Sequence, residues 1–179
     1  LLVYFLGFFT GKRSLSLGDP VGVLNIEGVL RSSQDIVRQV EEFSREEGIK
    51  AVVVRIDSPG GGVTPSQEIY ESLAELKKKK KVVVSMGSVA ASGGYLIACA
   101  ADKIVANPGT ITGSISAIMH FANAEALLKK IGLKSSTVKS GKFKDIGSPT
   151  RPMTGEEEAL IQDLVDDIYD QLLEVISRD

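Results

Sequence analysis

One serine stands in a run of small residues, Gly87-Ser88-Val89-Ala90-Ala91-Ser92-Gly93-Gly94-Tyr95, between the β-branched Val82-Val83-Val84 and the apolar Leu96-Ile97-Ala98-Cys99-Ala100-Ala101. Ser92 is therefore expected where a strand gives way to a helix N-terminus, beside backbone N–H groups that have no intrahelical acceptor. A second amide-rich turn, Ser58-Pro59-Gly60-Gly61-Gly62, closes the apolar stretch 51–57. Its glycines let backbone approach a ligand with no Cβ in the way. One serine between two such turns suggests an acyl-transfer nucleophile with an oxyanion hole.

Such a serine needs a base. The single histidine, His120, has apolar neighbours in Ile118-Met119-His120-Phe121, and no feature of the sequence brings it to Ser92; a structural or surface role is expected of it. Lysine serves as a base only as the neutral amine. At the ordinary lysine pKa of about 10.4 that form is roughly one part in a thousand near neutral pH, so burial or nearby positive charge has to favour it. Lys142 and Lys144 flank Phe143 in the loop Ser140-Gly141-Lys142-Phe143-Lys144-Asp145-Ile146-Gly147-Ser148-Pro149. On the residues alone both are candidates.

The strand-SPGGG turn, the GSVAASGGY run, Thr110-Ile111-Thr112-Gly113-Ser114-Ile115 and the SGKFKDIGSP loop follow one another in this order. Together they resemble the signal peptide peptidase A family of serine-lysine proteases, over about Val21 to the end of the chain. The resemblance implies an α/β fold of the crotonase/Clp-protease-like kind, with repeated β-β-α units in a single domain. It implies Ser92 as nucleophile, Lys144 as general base and the amides of Gly61 and Gly93 as the oxyanion hole, without a cofactor. Lys142 is then a like-charged neighbour that favours the neutral amine. The substrates implied are remnant signal peptides and other apolar extended peptides. Homo-oligomers are implied too, in which serine and lysine can come from neighbouring protomers. One departure is Ser116, where the family commonly has glycine after Gly113-Ser114-Ile115; if that position needs a positive φ the turn is strained and the substrate pocket altered.

Two other readings share some of these features. A crotonase-type acyl-CoA enzyme would use the same amides but relies on a carboxylate and needs neither the serine nor the lysine loop. A membrane-associated scaffold of the same fold would have no use for Ser92 and Lys144. Metal chemistry finds no ligand set, with one His, one Cys and no spaced carboxylate cluster. Cys99 is expected to be a buried thiol, since no polar activator lies near it in sequence. At 43% hydrophobic and 25% charged residues the chain is globular rather than disordered, and a net charge of −2 without a basic aromatic patch argues against nucleic acid. The run Lys77 to Lys81 is read as cations at a helix C-terminus.

The elements that must position these groups alternate. Strands are expected at 21–26, 51–56, 82–85, 103–106 and 136–138, and helices at 34–47, 65–80, 92–101, 124–131 and 154–176, a pattern of α/β type in a chain of 179 residues. The last helix opens with a Thr-x-x-Glu capping box, Thr154 to Glu157. The first nine residues are almost wholly apolar. As a helix they reach only about 13 Å, short of the roughly 30 Å hydrocarbon core. Residues 1–13 are read as the end of a single-pass N-terminal membrane anchor and 14–179 as the peptidase domain, continuing past the C-terminus, with the domain on the extracytoplasmic side.

Overall fold

In the computed structural model of the chain, which describes residues 20–178, alternating apolar residues set the sidedness of the sheet. In β1 (Val21–Glu27) and β2 (Ala51–Ser58) every second residue is buried. Between and after them come α1 (Gln34–Arg45), α2 (Val63–Lys77), β3 (Lys81–Ala91) and α3 (Gly93–Cys99). β4 (Lys103–Val105), β5 (Ile111–Gly113), α4 (Glu125–Lys130) and α5 (Gly155–Arg178) complete the order, so that β4, β5 and α4 form a β-β-α unit. All strand pairs are parallel in the order β1-β2-β3-β4, with β5 also on β3.

Leu24, Ile26, Val54, Ile56, Val84 and Met86 bury one sheet face against Ile69, Leu73 and Leu76 of α2 and Ile97 of α3. Each such aliphatic side chain contributes about 1.5–3 kcal/mol on burial. α1 packs on α2 and α2 on α3, which makes these helices one layer. On the other face Val21 and Val23 remain 52% and 59% exposed.

β3 runs six residues past the strand expected at 82–85. Gly87 and Ser88 are poor strand formers, so the sequence reads there as a turn. The ladder instead absorbs them in a bulge: Ile56 pairs with Met86 and Ser58 with Ala90, leaving Asp57 opposite three residues. The Asp57 carboxylate accepts the Val89 N–H at 3.0 Å. A Cβ at Gly87 would lie 2.6 Å from Asp57 Oδ2, so only glycine fits. The bulge divides one edge of β3 between β4, paired at residues 83–85, and β5, paired at 89–91.

The strand expected at Ser136-Thr137-Val138 is not formed. That segment is irregular and Val138 is fully exposed; β-branched residues make a strand only where a partner edge receives them. In the lysine run, α2 ends at Lys77, and Lys80 serves the neighbouring helix. Its ammonium donates to Phe43 O and, at 2.6 Å, to Glu46 O at the C-terminal end of α1. The apolar residues 1–9 lie outside the described residues, among which no helix is long and apolar enough to cross a membrane.

Candidate active site

Ser92 sits between the last residue of β3 and the first of α3 with φ 52° and ψ −121°. A non-glycine residue in this region costs about 1–3 kcal/mol and is kept only where its surroundings hold it. Here the Ser92 N–H donates to Gly113 O of β5 at 2.8 Å, and Ser92 O accepts the Tyr95 and Leu96 N–H groups at 2.9 Å each.

The glycine turn after β2 is knotted to the same place. Leu30 N–H donates to Gly60 O at 2.9 Å and Gly62 N–H to Leu30 O at 2.8 Å, which forms an isolated parallel bridge. Such a bridge uses the residues on either side of Gly61, so the Gly61 N–H points away from Leu30. Gly93 opens α3, and its N–H has no intrahelical acceptor. The buried Ser66 hydroxyl donates to Gly62 O at 2.8 Å, and a Cβ at Gly93 would lie 2.9 Å from Ser66 Cβ. The two amide-rich turns are thus packed through Ser66.

Gly61, Ser92 and Gly93 line a cavity of about 400 Å³ whose far wall is α5, through Ile168, Leu172 and Val175. Leu96 and Met119 add apolar surface, and Arg178 donates to Tyr70 Oη at 2.9 Å. Ser116 lines the same cavity. The strain expected at Ser116 is absent: positive φ falls on Gly113 at 80° and Ser114 at 52°. The turn is made before Ser116 is reached, and Ser116 is left to line the cavity.

Lys144 is not among the residues lining this cavity. It is exposed in the turn 142–147, with its N–H on Gly141 O at 3.2 Å. The cavity therefore brings Ser92, Gly61 and Gly93 together, and Lys144 lies outside its lining. Lys142 is ion-paired with Glu156, and its ammonium lies 5.4 Å from the centroid of the Phe143 ring. His120 is exposed and also outside the cavity. Cys99 is buried, 8% exposed.

An ion cluster ties the lysine loop to α5. Arg151 pairs with both Asp145 and Glu157. The guanidinium and then Lys139 hold the Asp145 carboxyl well below the usual range. Arg151 first, then the Thr154 N–H, holds Glu157 down to about 2. The Thr154–Glu157 box is closed in both directions, with Thr154 N–H on Glu157 Oε2 at 2.9 Å and Glu157 N–H on Thr154 Oγ1 at 3.3 Å. The box was visible in the sequence; Asp57, Ser66 and Arg151 carry no local signal, because their partners lie on other elements or in an irregular loop.

A model of peptidase family S49 matches residues 74–179, and one of Clp protease matches residues 23–112. The chain is 48% identical to the Synechocystis sp. protein slr0021 over 86% of its own length and 56% of that protein. It is 33% identical to "Protease 4" of Haemophilus influenzae, over 89% of its own length and 28% of that protein. Against "Serine protease SPPA, chloroplastic" of Arabidopsis thaliana the identity is 34%, over 82% of this chain and 22% of that one. The chain thus spans about half, or less, of the relatives it matches. Among solved structures, a ClpP1 mutant from Listeria monocytogenes aligns with a TM-score of 0.40 at 24% identity, covering 44% of this chain and 46% of that one.

Proposed function

The chain belongs to peptidase family S49, and from that premise we propose that it acts as a serine endopeptidase with Ser92 as nucleophile and Lys144 as general base. The observation that carries this reading is the strained Ser92, set at a strand-to-helix junction and lining one cavity with Gly61 and Gly93. Neutral Lys144 takes the proton from Ser92 Oγ as the oxygen attacks a peptide carbonyl. The N–H groups of Gly61 and Gly93 receive the developing oxyanion, and the lysine returns the proton to the leaving amine. Water then hydrolyses the acyl-enzyme with the same lysine as base.

Within one protomer Lys144 is exposed and away from the Ser92 cavity. This supports a homo-oligomer in which a neighbouring protomer supplies the lysine. Burial at that interface would also desolvate the ammonium and favour its neutral form. The apolar wall of Leu96, Ile168 and Leu172 suits extended apolar peptides such as remnant signal peptides. A membrane anchor at the apolar N-terminus, with the catalytic domain on the extracytoplasmic side, belongs to the same reading.

The test is hydrolysis of an apolar peptide by the assembled protein. Ser92→Ala is expected to reduce it at least about a hundredfold with the melting temperature unchanged, since one hydroxyl among small residues carries little packing. Turnover near that of the wild type would refute the assignment.

A further inference from the structure

The cluster between the lysine loop and α5 has no part in the chemistry above. Arg151 Nε donates to Asp145 Oδ2 at 3.0 Å and Nη2 to Asp145 Oδ1 at 2.9 Å, while Nη1 reaches Glu157 Oε2 at 2.7 Å. One planar guanidinium thereby forks onto two carboxylates, a geometry that the point charge of a lysine cannot copy. Asp145 directly follows Lys144 in the chain. Lys139, at the other end of the loop, pairs with Asp145 and donates to Lys142 O at 2.8 Å. Glu157 lies in the first turn of α5, and its side chain is only 3% exposed.

Two cations and two carboxylates cancel in charge, so what the cluster gives the loop is position rather than field. α5 is 24 residues long, about 36 Å of rigid support, and its other half walls the Ser92 cavity. Lys144 itself is exposed, within the turn 142–147. A flexible ammonium in such a place needs a fixed backbone beneath it, because misplacement of a reacting group by about 1 Å can lower a rate about a hundredfold.

We propose that Arg151 is a positioning residue which fastens the loop bearing Lys144 to α5, so that the base is presented from a rigid helix instead of a free turn. The proposal rests on Lys144 being the base.

The test is kcat and KM for peptide hydrolysis by the assembled protein. Arg151→Gln is expected to lower kcat at least about thirtyfold with KM within about threefold, and Arg151→Lys about tenfold, since the charge stays and the fork is lost. In Arg151→Ala, added guanidinium ion is expected to restore part of the lost kcat. Val40→Ala, on the buried face of α1, supplies a loss of stability outside the loop and is expected to keep kcat. The proposal is overturned if Lys144→Ala is inactive while Arg151→Gln turns over within about threefold of wild type. It is equally overturned if guanidinium restores nothing, or if Val40→Ala loses as much kcat as Arg151→Gln. An active Lys144→Ala would instead refute the assignment of the base, and the positioning role with it. Should Arg151→Gln fail to fold, Arg151→Lys and Asp145→Asn carry the same comparison.

Discussion

Gly93 has to be glycine because its Cα lies against Ser66. A Cβ there would be driven into the Ser66 side chain, with 2.9 Å to Ser66 Cβ. Gly93→Ala is therefore expected to push apart the two turns that hold the proposed oxyanion donors. The loss of one such donor lowers kcat about a hundredfold or more, whereas overpacking costs about 1–3 kcal/mol of stability. Peptide kinetics beside a thermal melt separates the two effects; a kcat close to wild type would show that the two turns keep their spacing despite the added methyl. The placement of Ser92, Gly61 and Gly93 at two neighbouring turns was legible in the sequence because strand, turn and helix start are local signals that meet within a few residues. Where Lys144 stands relative to Ser92 was not legible, since that depends on how an irregular loop 52 residues away is fastened.

Among the elements, α5 is closed at its start by charge as well as by its cap. Glu157 and Asp145 both have carboxyl pKa values below the ordinary range, with Arg151 the first cause in each. Depressed values of this kind stabilise the folded chain above the ordinary carboxylate range, and that stabilisation is lost as pH falls, for Glu157 through about 2. Acid melts are thus expected to show a falling limb that Glu157→Gln flattens; an unchanged limb would mean that the clamp adds nothing to stability. The sequence disclosed the box through its Thr-x-x-Glu spacing but not Arg151, which sits in the irregular stretch before it. Likewise the second half of β3 and the whole of β5 were hidden. Gly87-Ser88 imitates a turn, and three residues of β5 make a strand only because the far end of β3 is free to receive them. The segment 136–138 failed in the opposite direction, with strand-like residues and no edge to join.

At the scale of the whole molecule, a Clp-protease-like α/β domain carries the proposed nucleophile and oxyanion donors in one cavity and the proposed base outside its lining. If the base arrives from a neighbour, mixing inactive Ser92→Ala with inactive Lys144→Ala chains is expected to restore part of the activity, because some mixed interfaces join an intact serine to an intact lysine. No recovery after demonstrated subunit exchange would place both residues in one protomer. The bulge opposite Asp57 has a further effect, in time rather than in space. Residues 83–85 of β3 each pair with β2 and with β4, whereas of 89–91 only Ala90 pairs with β2, beyond the bulge, and the other side is held by the three residues of β5. Amide hydrogen exchange should therefore step down along this one strand, slow before Gly87 and faster after Val89, by local opening that leaves the core closed. Asp57→Ala, which takes the acceptor from Val89 N–H, is expected to speed exchange only on the far side of the step. The serine then rides on a strand end that relaxes on its own clock while the domain beneath it stays shut.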